Sequence, residues 1–441
     1  MTSPALLDQT SLLSPIRFTG RITSVRGSAI IADGPLCSVD DICEIKPATE
    51  QEGHIATLAH VSSVRDDSIT LIPFDDTTRL VPGAKVQLKR TNASAPVGDM
   101  LLGRLIDGFG HPIDGSGLAL QTHFAQLSGQ LLTPLDREDP RQVLQTGIRA
   151  IDGLLSIGKG QRLGVFAAAG VGKTTLIQDI ARNVDCDVCI ACMVGERGRE
   201  VQDFWTRFSK GENAAERNVC VAATSDTSAP FRIRAVKQAM AMAEYWRDAG
   251  KDVVLIIDSI TRFAMALREV GLASGAPPTL RAYTPNVFGE LPKIVERAGA
   301  RKCSGSITAV MTILSETDDS DDPIAETMKS LLDGHIVLSR ELAEKGQFPA
   351  VDILKSISRQ SERLVSEDHQ RSANKVRRLL AIYEESKVMI ESGVYKPGSN
   401  AEIDEAIAKR PDVLAFLTQD TSIATDFEES KRLLRTVGGS Q

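Results

Sequence analysis

The 441-residue sequence has no run of about 18 apolar residues, the length needed to cross a membrane as a helix, so no transmembrane helix is expected. Met1 to Arg17 lack a basic segment followed by an apolar core, which argues against a secretion signal. Positive charge is not in excess: 51 Lys and Arg face 58 Asp and Glu, a formal net charge of −7, which disfavours nucleic acid as the main partner. Aromatic residues make up only 4%, and the N-terminal strands offer none of the stacking positions that single-stranded RNA would need. Seven cysteines in a chain this long do not form a disulfide framework and fit free thiols in a reducing, cytoplasmic compartment. Internal repeats and low-complexity tracts are missing as well. The remainder, 42% hydrophobic and 25% charged, is that of a globular protein with two or three domains.

The most informative stretch is Gly164 to Thr175. It reads as a buried strand, a glycine-containing loop and a helix start, and it fits G-x-x-x-x-G-K-[ST] except that Ala167 stands at the first glycine position. In Ala169-Gly170-Val171-Gly172-Lys173-Thr174-Thr175, the glycines let backbone N–H groups close around phosphate oxygens, and the helix start adds its positive dipole end. Lys173 can neutralise β and γ oxygens, and the Thr174 hydroxyl is placed to ligate Mg²⁺. A second landmark is Val253-Val254-Leu255-Ile256-Ile257-Asp258, an apolar strand ending in an acid at the edge where open α/β sheets bind ligands. Asp258 can hold Mg²⁺ there, directly or through water. The expected ligands are therefore a nucleoside triphosphate and Mg²⁺.

Around these landmarks the chain divides by pattern. Residues 1–17 are expected to be a flexible lead. Residues 18–92 show short strands (Arg21–Val25, Ala29–Ile31, Cys43–Ile45, Ile55–Val61, Ile69–Pro73 and Lys85–Leu88) broken by Gly34-Pro35 and Pro82-Gly83, the pattern of a small β-barrel. Residues 93–145 are a Gly- and Pro-rich connector, mostly loop, in which His111 is a surface residue. Residues 146–362 alternate buried strands with helices and predict a mostly parallel sheet in a RecA-like α/β core. Helices are expected at Glu200 to Lys210 and Arg232 to Asp248, and strand-like pieces at Ser306 to Leu314, Val337 to Arg340 and Val351 to Arg359. Residues 363–441 are helical, with Val376, Leu379, Leu380 and Tyr383 on one face, Arg371, Lys375, Arg377 and Arg378 on a solvated face, and another helix over Glu402 to Leu417.

Two patterns are given plain readings. Cys186, Cys189 and Cys192 have the spacing of an iron–sulfur run, but a spacing of three on a strand sends successive thiols to opposite faces, so buried free cysteines are expected. The acidic loop Glu316 to Pro323 lacks the glycine and terminal Glu of a calcium loop and is expected to be solvated.

Several stretches together resemble the catalytic subunits of the rotary ATPase family: Leu102-Gly103-Arg104 with Asp107-Gly108 and Pro112, Gly147 with Arg149, Ile151 and Asp152, and Gly195-Glu196-Arg197. Within that family the chain is most similar to the type III protein-export ATPases, flagellar or injectisome. They share Gly195 to Val201, Asp258-Ser259-Ile260-Thr261-Arg262-Phe263-Ala264, Tyr283 to Phe288 and Leu332 to Arg340. Ala167 at the first loop glycine also occurs in that branch. The likeness spans about residues 18 to 420.

What the resemblance implies is specific. Glu196 would orient the attacking water, Arg197 would order its loop, and Arg359 would reach into a neighbouring subunit's site as an arginine finger. Phe348 would stack on adenine, where the family usually has Tyr. Glu196 and Arg359 lie in one polypeptide, so identical copies can complete every site and a homohexamer is expected. Implied partners are stator, regulator and stalk proteins, chaperone–substrate complexes and the export gate, with peripheral attachment at the cytoplasmic face of the inner membrane and no nucleic acid. The alternative is a catalytic β-type subunit of a rotary proton-translocating ATP synthase. Against it, the helices from Val376 to Leu417 lack the acidic lever motif that meets the rotor.

Overall fold

The computed structural model describes residues 19–46, 56–75, 80–90, 94–117, 123–140, 142–210, 214–315, 322–420 and 423–439. The expected flexible lead and most of the acidic loop, residues 316–321, lie outside them. The chain forms two compact units. The first is the N-terminal part to Ser94 with Asp226–Ile233 and Met265–Val287, and the second comprises Ala95–Ser225, Arg234–Ala264 and Phe288–Gln441. Among the described residues no helix is long and apolar enough to cross a membrane.

In the first unit, β1 (Thr19–Arg26), β2 (Ala29–Ala32), β3 (Ile42–Lys46), β4 (Thr57–Arg65), β5 (Ser68–Pro73) and β6 (Lys85–Arg90) close into a barrel in the order β1-β2-β5-β4-β3-β6. Alternate residues point inward, so Ile22, Ile30, Cys43, Ile45, Val61, Leu71 and Val86 fill the interior. Closure leaves no free strand edge.

The second unit is built on a sheet of β7 (Leu105–Ile106), β8 (Arg162–Ala167), β9 (Val188–Val194), β10 (Asn218–Ala223), β11 (Asp252–Asp258), β12 (Ser306–Leu314), β13 (Gly334–Val337) and β14 (Ile357–Ser358). Its order is β14-β13-β8-β12-β11-β9-β10-β7, parallel from β13 to β7, with β14 antiparallel at the edge. The central strands are buried on both faces, as parallel strands flanked by helices must be, and so read as mainly apolar runs, interrupted in β12 by Thr308 and Thr312. Helices α1 (Arg149–Leu154), α2 (Lys173–Asn183), α3 (Gly198–Phe208), α4 (Ala229–Asp248), α5 (Ile260–Ala273), α6 (Pro285–Arg297) and α7 (Pro323–Leu331) connect them. Helices α8 (Glu367–Glu391), α9 (Ala401–Leu417) and α10 (Phe427–Gly438) follow.

The motifs that marked the family are largely structural. Asp152 is fully buried and accepts the Thr146 Oγ1 proton at 2.7 Å, with Thr146 N–H at 3.0 Å and Gly147 N–H at 3.0 Å. Burial pushes its carboxyl up to about 7, against the pull of those bonds. Asp114 grips Arg104 through two bonds of 2.8 and 3.1 Å. Burial works against its ionisation, yet Arg104 and the N–H groups of Ser116 and Leu105 hold it far below the usual carboxylate range. A recurrent device ties the unit together, namely an arginine aimed at backbone carbonyls. Arg149 donates to Ala415 O and Thr418 O, Arg217 to Val184 O and Ala181 O, Arg297 to Leu127 O, and Arg377 to Leu154 O.

Three sequence expectations need correction. Arg377 is half-buried and holds α8 to α1, whereas Lys375 and Arg378 pair on the surface with Glu405 and Glu402. Val337 to Arg340 is strand only to Val337, because Ser339 caps a short helix, Arg340–Glu344, by accepting Leu342 N–H at 3.4 Å. Val351 to Arg359 is mostly turn: Asp352 Oδ1 accepts Leu354 and Lys355 N–H at 3.2 Å each, and only Ile357–Ser358 pairs as strand. Cys189 and Cys192 are buried free thiols in β9, and Cys186 lies just before it, half-buried and free.

Candidate active site

Strand β8 delivers the chain to the C-terminal edge of the sheet, and α2 begins at Lys173 after five intervening residues. The turn between them depends on two left-handed residues, Gly170 at φ 80° and Gly172 at φ 92°. A Cβ on Gly170 would meet nothing within 4 Å. A Cβ on Gly172 would sit 3.6 Å from the Phe348 ring. Ala167 at the first glycine position is still extended and paired with Leu314, and its carbonyl accepts Ser315 N–H at 3.1 Å. Nothing there requires glycine.

Two strands of the sheet aim carboxylates at this loop. At the end of β11, Asp258 is 2% exposed in its side chain and receives Lys173 Nζ at 2.5 Å and the Thr312 hydroxyl at 2.6 Å. Beyond β9, Glu196 Oε1 stands 3.6 Å from the same Lys173 Nζ. The Glu196 loop is pinned by Gly195 N–H to Ala223 O at 2.7 Å and by Ser225 N–H to Glu196 O at 2.9 Å. The structure therefore brings together Ala169 to Thr175, Glu196, Asp258 and Phe348 from distant parts of the sequence.

Two expected residues stand elsewhere. Arg197 is exposed and starts α3, its carbonyl accepting Glu200 N–H at 2.8 Å and Val201 N–H at 3.1 Å. Arg359 is exposed just after β14, bonded through its N–H to Asp333 O at 3.0 Å and through Nη2 to Lys329 O at 3.5 Å. Asp333 stands just before β13 and Lys329 lies in α7, so neither partner belongs to the chain's own phosphate loop.

The sequence reading overlooked two side chains. Thr312 shares Asp258 with Lys173, and the only cue was a hydroxyl near the end of a strand that also carries Ser306 and Thr308. Arg262 lies against Gly195, where a Cβ would come within 3.0 Å of the Arg262 Cβ. Its Nε is buried without a hydrogen-bond partner among the described residues. Its position four residues after Asp258, one turn along α5, would have directed it to the same edge.

The electrostatics single out Glu196. Burial pushes its carboxyl up to about 7, Lys173 opposes this, and Asp258 and Glu200 add to it. In the water-orienting role that the resemblance implies for it, protonation would remove its function, so kcat/KM should fall as pH drops through about 7. A kcat/KM profile that stays flat down to the ordinary glutamate range would contradict this placement of the group.

Comparisons with known proteins converge on one group of ATPases. Residues 147–358 match the nucleotide-binding domain of the ATP synthase alpha/beta family, and residues 365–436 match the C-terminal domain of the type III secretion ATPase EscN. The chain is 42% identical over 441 residues to the flagellum-specific ATP synthase of Bacillus subtilis, covering 100% of both. It is 42% identical over 418 residues to the type 3 secretion system ATPase of Xanthomonas euvesicatoria, covering 95% of this chain and 93% of that one. The assembled ATPase EscN of enteropathogenic E. coli superposes with a TM-score of 0.89 at 39% identity, over 95% of this chain and all of EscN. With the phosphate loop, its acids and this breadth of likeness in view, the chain belongs to the family of type III protein-export ATPases.

Proposed function

We propose that the protein is a ring-forming ATPase that powers export through a type III apparatus, releasing chaperones and delivering unfolded substrates to the export gate. The observation that carries this reading is the division of one catalytic set within one chain. Glu196 sits at the phosphate loop, whereas Arg359 faces outward at the far sheet edge. Identical subunits arranged head to tail would complete each other's sites. The solved relative is described as an assembled ATPase, and also in complex with its central stalk EscO. Assembly as a homohexamer on a stalk protein, with stator and regulator proteins nearby, follows by analogy. So does peripheral attachment at the cytoplasmic face of the inner membrane.

The site suits a magnesium nucleotide. The turn at Gly170, the helix start at Lys173 and the buried Asp258 carboxylate supply a phosphate seat beside a hard oxygen ligand. Thr174 and Asp258 would hold Mg²⁺, which supplies charge neutralisation across the phosphates. Lys173 would neutralise transferring oxygens, Glu196 orient the water, Arg197 order the Glu196 loop, and Arg262 approach the terminal phosphate. Phe348, 41% exposed and against Gly172, would present its ring to adenine. Phe348→Ala should raise the KM for ATP about tenfold, since a base–aromatic stack is worth about 1–3 kcal/mol. Phe348→Tyr should leave KM unchanged.

Turnover per subunit measured against protein concentration tests the shared site. It should climb cooperatively as rings assemble. A rate per subunit that stays constant down to monomer concentrations would overturn the reading. Activity only with a different partner subunit would favour the synthase-like alternative.

A further inference from the structure

We propose that Gln161, together with the Arg162–Asp333 ion pair, positions the arginine finger. The strand that carries a subunit's own phosphate loop would then also set the reach of the residue it lends to its neighbour. The inference rests on the reading of Arg359 as a trans-acting group.

The finger follows a short, crowded strand. Gly334 in β13 lies so close to β14 that a Cβ there would come within 2.6 Å of Ile357 O, so the two strands have no slack between them. Ser358 is buried and donates its hydroxyl proton to Ser156 O at 2.9 Å. The same hydroxyl accepts Gln161 Nε2–H at 3.0 Å. Gln161 is fully buried, and its Oε1 accepts Gly158 N–H at 2.9 Å. Its Nε2 also lies 3.4 Å from Asp333 O, the carbonyl that accepts Arg359 N–H at 3.0 Å.

The next residue on β8 fixes the other half of the mount. Arg162 grips the Asp333 carboxylate with Nε to Oδ2 and Nη2 to Oδ1, both at 3.0 Å, and its backbone N–H bonds the same Oδ2 at 3.0 Å. Arg162 Nη1 then donates to Glu296 at 2.7 Å, and Glu296 pairs with Arg137 at 2.8 Å. A bidentate arginine–carboxylate pair fixes orientation as well as distance. The outcome is a backbone held from both sides at Ser358 and Arg359, below a guanidinium that is exposed and holds one long contact to Lys329 O at 3.5 Å. Misplacing such a group by about 1 Å is enough to lose roughly a hundredfold in rate.

Gln161 is also close in sequence to the phosphate loop, so a simple activity loss would not separate a finger mount from damage to the subunit's own pocket. Mixed rings do separate them. Gln161→Met keeps the length and removes the amide. Each variant is combined with a second one below the assembly concentration and then concentrated together. Gln161→Met alone should lose roughly tenfold or more in turnover, with nucleotide affinity within about twofold of wild type. Mixed with Glu196→Gln, which has a sound finger and a dead pocket, it should recover, because about one site in four then pairs an intact pocket with a held finger. Mixed with Arg359→Ala, which adds no held finger, it should stay at or below its own reduced rate.

The reverse pattern, rescue by Arg359→Ala but not by Glu196→Gln, would show a damaged pocket and overturn the proposal, as would unchanged turnover. The control mixture of Glu196→Gln with Arg359→Ala reads the shared-site reading by itself. If that mixture fails to recover, the trans reading falls and the mount falls with it. Should Gln161→Met not assemble, Asp333→Asn takes its place in the same two mixtures, since it weakens the Arg162 clamp while keeping the backbone carbonyl that Arg359 uses.

Discussion

Arg359→Ala should lower kcat by about three to five orders of magnitude, the usual effect of removing an arginine finger. The argument is positional. Its guanidinium is exposed at the β13–β14 edge, and its bonds go to Asp333 and Lys329, so truncation should spare the chain's own nucleotide affinity. Transition-state charge would lose its partner while ground-state binding stays, giving equal falls in kcat and kcat/KM. Arg359→Lys should rescue little, because an ammonium cannot reproduce the planar fork of a guanidinium. The measurement is steady-state ATPase on assembled rings, with nucleotide affinity from a fluorescent analogue and ring size from sedimentation. A fall of less than tenfold with intact rings would remove Arg359 from the chemistry.

Glu196→Gln should lower kcat by about two to four orders of magnitude, the range for a lost general base or water-orienting carboxylate. Nucleotide affinity should hold or rise, since one negative charge is removed 3.6 Å from Lys173. The variant also tests the assignment of the acid limb. Burial holds the Glu196 carboxyl near 7, so the activity that remains in Glu196→Gln should no longer fall as pH drops through that value. Persistence of the limb would assign it to another group.

The architecture was legible wherever a single physical rule governed a segment. All six barrel strands stand where alternation and turn residues placed them, although Ile55, the expected start of the fourth, lies outside the described residues. The buried strands Val188–Val194 and Asp252–Asp258 announced themselves as apolar runs of strand length, and the phosphate loop by its glycines. What the sequence concealed depends on tertiary partners. Arg377 looks solvated on a helical wheel because nothing local shows that Leu154 offers it a carbonyl. Val351 to Arg359 has strand composition, but the Asp352 side chain captures two backbone N–H groups and bends the chain first. Helix α10 was not located either: its amphipathic run follows two helices already assigned. In the site, Lys173 and Asp258 were evident from motifs, whereas Thr312 and Arg262 become visible only when β12 and α5 are set beside them.

The arginines aimed at backbone carbonyls give the fold an asymmetric tolerance to mutation. Every residue type carries the carbonyl that Arg149, Arg217, Arg297 or Arg377 requires, so Leu154, Val184, Leu127 and Thr418 can change side chain without breaking the bond. The donors have no such freedom, because no other side chain offers the same fork. Such contacts would leave no trace as paired substitutions across descendants of this sequence. One partner drifts, the other stays fixed, and methods that look for correlated change would miss the joints between α1 and the C-terminal helices.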